Sequence, residues 1–422
     1  MLTTLRGYTV LAWLLLPLAF VRLLWRSRHQ PGYRHHWNER LGRYPVHATR
    51  PVLWLHAVSV GETRAASALI RLIRKQYPEF QLVLTHMTPT GRETAPDLIG
   101  TDVIRCYLPY DVPFAIHRFL KHFSPRLGLL LETELWPNLI SLCAEARIPL
   151  LLVNARLSEK SAARYRRYQP LTRDILARLA LIAAQTENDA QRLRSLGARE
   201  VLVTGNLKFD TAQVPLPESD LSSLRALIGP HRFVWLAAST RPGEERLLLE
   251  QLPGLNCPAG LLILVPRHPQ RFNEVAALLT SLGIPFIRRS ENRHVPADVQ
   301  VLLGDSMGEL QGYYQIADVA LIGGSLLPFG GQNLIEATAA GCPVLIGPHT
   351  YNFLDAAEWA VAAGAALRLQ HVSELLTVLP ALLRDEERRQ RMGVAGRQFT
   401  LQHQGAAHKI LSLIERYLPK PL

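Results

Sequence analysis

The sequence predicts an α/β fold of two doubly wound domains behind an N-terminal membrane-anchor helix. Three observations predict it. At 422 residues the chain is longer than one ordinary hydrophobic core serves. Short apolar runs of strand length alternate with helical patterns along both halves, which is the signature of parallel sheets. And the chain begins on an apolar run, Gly7 to Val21, that carries no charge.

Composition narrows the rest. A hydrophobic fraction of 48% is that of a globular protein, and a net charge of +12 points to an anionic partner. An anionic membrane surface, a phosphorylated substrate and nucleic acid all meet that description, but no nucleic-acid-binding motif is present. Cys106, Cys143, Cys257 and Cys342 are scattered without a CxxC pair, which fits a reducing compartment rather than a disulfide or zinc framework.

Residues 1–28 read as the anchor. The apolar run continues past Arg22 to Trp25; it is short for a span, and a snorkelling Arg22 extends it. A signal peptide would want a more basic start and a small-residue cleavage site. A buried core helix is the other alternative. Arg22, Arg26, Arg28, Arg34, Arg40, Arg43 and Arg50 come next with only Glu39 against them, a bias that suits anionic head groups and puts the adjoining domain on the cytoplasmic side.

Residues 29–210 form the first domain. Its strands are expected at 52–59, 81–85, 102–108, 127–131, 149–154, 181–185 and 201–204, with helices between most of them, the first over 61–76. A stretch from Asn206 to Asp220 with Pro215 and Pro217 reads as a linker. Residues 211–402 repeat the scheme, with strands expected at 233–238, 261–265, 284–287, 301–303, 319–322 and 344–346. Residues 403–422 close the chain with an amphipathic helix over 406–417. Two such Rossmann-like halves joined by one linker have the GT-B layout, shared by glycosyltransferases and by a sugar-nucleotide 2-epimerase family. Layout alone does not choose between them.

Residues able to carry chemistry stand after the strands, where doubly wound sheets bind ligands. Glu62 comes after the first strand, behind Gly61. A poorly solvated carboxylate there suits general-base work, against the plainer reading of a helix-start glutamate favoured by the dipole. Glu132 and Glu134 flank Thr133 after another buried strand, placed for hydroxyl binding, for orienting a basic partner, or for capping. In the second half Ser239, Thr240 and Arg241 come after the first strand, where small hydroxyls can meet a phosphate. Arg267 and His268 come after the next; Arg267 offers a planar fork to a carboxylate or phosphate. Met307 and Gly308 sit in DSMGEL, where the thioether can pack on a nucleobase or fill the core. Gly323 to Gly347 reads as strand, Gly-rich turn through Gly324, helix from Asn333, and strand. The turn suits an anion at the helix N-terminus near Gln332 and Asn333, with Glu336 accepting from sugar hydroxyls. Lys208, beside the linker, can neutralise an anionic donor. No DxD triplet, metal-ligand spacing, P-loop or dinucleotide fingerprint occurs.

Taken together, HAVSVGE (56–62), ETELWPN (132–138), GNLKFD (205–210), PRHPQRF (266–272), GDSMGEL (304–310) and GGSLLPFGGQNLIEA through GPHTYNF (323–353) resemble the 3-deoxy-D-manno-octulosonic acid (Kdo) transferases of lipopolysaccharide assembly. The resemblance runs in order over almost the whole chain. It implies a GT-B fold and CMP-Kdo as co-substrate, with no further cofactor expected; the missing DxD triplet and metal-ligand spacing suggest no metal. It also implies the lipid A precursor as acceptor, transfer with inversion at the cytoplasmic face of the inner membrane, and Glu62 as base. Arg267, Met307, Asn333 and Glu336 align with its donor-site motifs. Gln332 departs from the family, where many members have His; Gln donates a hydrogen bond but is no acid. A transferase using a UDP-sugar on another lipid, or a non-catalytic sugar-nucleotide binder at the membrane, are the competing readings.

Overall fold

The computed structural model describes residues 4–211, 218–255 and 260–418. The contacts divide the chain into two units, Met1–Thr211 with Gln404–Leu422, and Ala212–His403. Cys257, Pro215 and Pro217 lie outside the described residues.

The first unit opens with α1, Leu5–Arg26, capped by the Thr4 hydroxyl on Gly7 N. Then come β1 Val52–His56, α2 Val60–Gln76, β2 Gln81–His86, α3 Pro89–Ile99, β3 Ile104–Tyr107, α4 Pro113–Phe123 and β4 Leu127–Leu131. After these stand α5 Pro137–Glu145, β5 Leu150–Ala155, α6 Glu159–Arg166, α7 Gln169–Arg178, β6 Leu181–Ala184, α8 Glu187–Ser195 and β7 Val201–Val203. The helices start where the sequence supplies caps or prolines: Ser59, Thr88, Ser158 and Thr186 accept from backbone N–H groups, and α4 and α5 carry Pro at their first position. All seven strands are parallel, in the order β3-β2-β1-β4-β5-β6-β7. Both faces are covered, so the strands read as unbroken apolar runs: Trp54 packs into one core and its neighbours Leu53 and Leu55 into the other.

The second unit carries β8 Val234–Thr240, β9 Leu261–Pro266, β10 Phe286–Arg288, β11 Val301–Leu303, β12 Val319–Ile322, β13 Val344–Ile346 and β14 Ala366–Arg368. They too are parallel, in the order β10-β11-β9-β8-β12-β13-β14. The order reverses at β1/β4 in one sheet and at β8/β12 in the other, and those switch points are where open α/β sheets bind ligands.

Two expectations need correction. The short strand β14 was not anticipated; ALR is too brief to stand out by pattern. The helix expected from Asn333 begins at Ile335 and has only six residues, Ile335–Ala340, because Asn333 turns its side-chain Oδ1 onto Ile335 N. The basic segment after α1 keeps Arg22, Arg28, Arg34, Arg43 and Arg50 exposed and folds Arg40 inward. Arg40 is 1% exposed, donates to Met87 O and stacks 4.0 Å over the Tyr107 ring, while buried Glu39 binds Arg92 at 2.9 Å and Tyr107 N at 2.8 Å. Arg34 reaches Ser27 Oγ, and Arg50 reaches Pro78 O.

The closing helix, Ala406–Ile414, returns to the first unit. Asp210 fixes its start by accepting from Gly405 N and Ala407 N, both at 2.6 Å, and Ile410 and Ile414 join the α2 core. The stretch expected as a linker contains the boundary between the two units, with helices at Lys208–Thr211 and Glu218–Ile228.

At 22 residues, α1 is long and apolar enough to cross a membrane. Its inner stripe is nevertheless docked on the first unit. Thr9 Oγ1 donates to Asn138 Oδ1 at 2.6 Å, the Tyr8 hydroxyl donates to Asp111, Trp13 stacks on Phe114 at 5.0 Å, and Phe20 packs edge-on against Tyr110. The outer face leaves Leu14, Leu18, Val21 and Trp25 59–69% exposed.

Candidate active site

In the first unit the switch point gathers three carboxylates. Glu62 lies in the first turn of α2 and closes a reciprocal cap: Ser59 Oγ accepts from Glu62 N, Glu62 Oε1 accepts from Ser59 Oγ, and Glu62 Oε2 accepts from Val58 N at 2.8 Å. Burial, then the charge of Glu132 and more weakly that of Glu134, push its carboxyl up to about 8, against the Val58 and Ser59 hydrogen bonds. Glu132, directly after β4, lies in the left-handed region, φ +57°, and binds Lys208 Nζ at 3.4 Å. A non-glycine residue held there at a strand end is a strained placement of the kind that collects at functional sites. Glu134 accepts from Trp136 Nε1 at 2.8 Å, and burial, partly offset by that bond, holds its carboxyl above the usual range. Lys208, expected beside an anionic donor, thus meets Glu132.

Below them lie two buried imidazoles. His56 Nδ1 contacts Thr85 O, and His86 Nδ1 contacts Ala57 O. Burial pulls them down to about 3 and about 4, so both are neutral near pH 7.

In the second unit the switch point is built on Glu244, which is fully buried and accepts from four backbone N–H groups: Gly324 at 2.6 Å, Arg241 at 2.9 Å, Leu326 at 3.0 Å and Leu327 at 3.4 Å. That carboxylate ties the turn after β12 to the turn after β8. Gly323 is needed for the same closeness: a Cβ there would lie 2.4 Å from Ser239 O. Gly324, φ +69°, then turns the chain so that Gly331 N reaches its carbonyl at 2.7 Å, and Gln332 N reaches Gly323 O. Gln332 is half-buried beside Gly324 and Arg241.

Ser239 adopts φ +59° where the β8/β9 register shifts. Thr240 is 1% exposed, and its hydroxyl is committed to Glu245 at 2.7 Å, so its role is to hold Glu245, itself clamped by Arg271. Arg241 points its Nη1 at His268 Nε2, 2.6 Å away, and lies over the Phe329 ring at 5.0 Å. Burial and the charges of Arg241, Arg267 and Arg271 hold His268 below its ordinary value. An arginine only donates, so His268 accepts on Nε2 and keeps its proton on Nδ1. Arg267 is exposed in the same cluster. Met307 is 69% exposed, next to Gly308 at φ +87°, so it does not fill a core. Asn333 Nδ2 donates to Glu336 Oε1 at 3.0 Å. Sequence reasoning missed Glu244 and Glu245 altogether; the adjacent acidic pair directly behind STRPG was the available signal.

The family described as 3-Deoxy-D-manno-octulosonic-acid transferase (kdotransferase) matches residues 35–211, and that described as Glycosyl transferases group 1 matches residues 285–399. The 3-deoxy-D-manno-octulosonic acid transferase of Bordetella pertussis is 42% identical over 434 residues, 98% of each chain. The chain belongs to the Kdo transferase family. That of Haemophilus influenzae is 40% identical over 96% of each chain. A glycosyltransferase structure from Rickettsia africae covers 89% of this chain and all of its own at TM-score 0.62, with 13% identity, which speaks to the GT-B fold alone. The protein is therefore a glycosyltransferase, a Kdo transferase of lipopolysaccharide biosynthesis.

Proposed function

We propose that the enzyme moves Kdo from CMP-Kdo to the lipid A precursor, with inversion and without a metal. It works at the cytoplasmic face of the inner membrane, to which α1 holds it. Glu62 takes the proton of the acceptor hydroxyl as that oxygen attacks the anomeric carbon and the bond to the CMP phosphate breaks. The observation that carries this reading is the setting of Glu62: a carboxylate whose proton affinity is raised to about 8 is strong enough a base to relieve a sugar hydroxyl and still partly ionised at neutral pH.

The second unit holds the donor. Arg241, Arg267 and the Nδ1–H of His268 present positive charge and a donor to the two anions of CMP-Kdo, its phosphate and its sugar carboxylate, and Ser239 and Gln332 add polar groups beside them. Met307, exposed beside Gly308, offers a face to the cytosine. Glu336 accepts from the ribose. Preorganised charge at the leaving phosphate is the kind of contribution that dominates such transfers. A single leaving phosphate needs no bridging cation.

The test is transfer from CMP-Kdo generated in situ to tetraacylated lipid A precursor, in buffer containing EDTA, read by mass spectrometry of the lipid. Wild type is expected to add Kdo, with kcat/KM rising with pH through about 8 as Glu62 ionises. Glu62→Gln should lose about 10²–10⁴-fold in rate and keep CMP binding. Equal loss of CMP affinity in that variant would remove Glu62 from the role of base.

A further inference from the structure

The first unit contains a cavity of about 410 Å³ that the proposed proton transfer and donor binding do not use. One wall is α1, through Tyr8 and Leu11; the other is α7 and the residues around it, through Tyr165, Leu171 and Ile175; Trp136 and Glu134 stand at its end. Apart from Glu134, Thr133, Thr172 and the rims of the tyrosines the walls are apolar. An apolar cavity of this size is in the range of small-molecule sites.

Its position says what enters it. Glu134 belongs to the carboxylate group around Glu62, close enough that its charge acts on Glu62. The other boundary is the helix whose far face exposes Leu14 at 69% and Leu18 at 61%. A contiguous exposed apolar face on a helix of this hydropathy is one that lipid covers. The cavity is therefore lined both by a member of the carboxylate group and by the helix that faces lipid.

We propose that this cavity is a slot for one acyl chain of the lipid acceptor, and that α1 is a wall of the acceptor site as well as an anchor. The inference rests on the reading that the acceptor is an acylated sugar. Docking of α1 is specific enough to serve: Asp111 is buried and accepts from Asn138 N at 3.1 Å, Leu139 N at 2.9 Å and the Tyr8 hydroxyl, while Thr9 holds Asn138. A helix that only tethered the protein would not need two specific polar contacts to fix its rotation. Threading a chain into the slot would orient the sugar toward Glu62 and would make acyl chains part of what the enzyme selects.

Two substitutions on the same helix separate slot from anchor. Leu11→Trp fills the cavity; Leu14→Trp adds the same bulk to the outer face. Full-length protein in detergent micelles is assayed with CMP-Kdo and either the acylated acceptor or its fully deacylated analogue. L11W is expected to raise KM for the acylated acceptor about tenfold or more, with the melting temperature, the donor KM and turnover of the deacylated analogue unchanged. L14W is expected to leave all of these as in wild type. Equal effects of the two substitutions, or none from L11W, overturn the slot. A diazirine-bearing fatty acid, photolysed with wild type and mapped by peptide mass spectrometry, gives a readout that needs no transfer. Adducts at Leu11 or Tyr165 support the slot, and adducts confined to the outer face of α1 overturn it. Slot labelling without Kdo transfer would sink the assigned reaction and leave the slot; transfer without slot labelling would do the reverse.

Discussion

Replacing Glu244 tests whether the second unit's site is held by one buried carboxylate. Four backbone N–H groups converge on it, Gly324 and Arg241 on Oε2, Leu326 and Leu327 on Oε1. Glu244→Gln keeps one oxygen and turns the other into an amide that only donates. With its carbonyl on the Gly324 and Arg241 side, where the distances are 2.6 and 2.9 Å, the amide faces two N–H groups on the other. Each buried donor left unmet costs about 1–3 kcal/mol, and the Leu327 contact is already long, so the sum is about 2–4 kcal/mol. For a unit of this size a kilocalorie moves the melting temperature by roughly 2–4 °C, so a drop of about 5–15 °C is expected. Glu244→Ala, which removes all four acceptor contacts and the packing, should fall further. The assay is a thermal melt with and without saturating CMP. Because the carboxylate fixes the Gly323–Gly331 turn, the stabilisation added by CMP should also shrink. A Glu244→Gln protein that melts within a degree of wild type and gains as much from CMP would refute the argument.

Two other substitutions draw on the same geometry. Glu132→Gln removes a like charge beside Glu62, so the proton on Glu62 should leave more readily. The rising limb of kcat/KM should then move to lower pH by roughly one unit, while a limb that stays put would clear Glu132 of that role. Gly323→Ala would drive a methyl to 2.4 Å from Ser239 O and 2.7 Å from Thr240 Cα, backbone on both counts. A cost of about 1–3 kcal/mol in unfolding free energy is expected, with weakened CMP binding read by calorimetry.

Much of the fold was legible because parallel strands buried on both faces are written as apolar runs: β4, β11, β12 and β13 lie where the runs lie. What stayed hidden is long-range. Nothing local tells that Arg40 leaves a basic stretch to stack on Tyr107, or that the last helix crosses back to Asp210. The carboxylates of the first unit could be named individually, since each stands after a strand, but their coupling could not. That depends on β1 and β4 being neighbours, which is a property of strand order. The phosphate reading of Thr240 shows the converse limit. Its position was right for a ligand, but Glu245, five residues on, takes its hydroxyl inward.

Hydrogen-bond supply separates the working carboxylate from the structural ones. Glu244 and Asp111 each accept from two or more backbone N–H groups, which offset part of the cost of burying their charge, although burial still holds Glu244 above its ordinary value and pushes Asp111 up to about 6. Glu62 has one backbone N–H and one hydroxyl, and two like charges nearby. It is under-supplied, so less offsets its burial and its carboxyl rises to about 8. A carboxyl whose folded-state value is raised from 4.5 to about 8 lets the folded protein keep a proton the unfolded chain gives up. The protein therefore loses stability as pH climbs through that window. Glu62→Gln, which keeps an acceptor for Val58 N and carries no charge, should match wild type in melting temperature near pH 4 and exceed it at pH 9. If Glu62 were instead an ordinary first-turn carboxylate stabilised by the α2 dipole, the same substitution would lower the melting temperature at pH 9. The two melts thus tell a residue kept for chemistry from one kept for the helix.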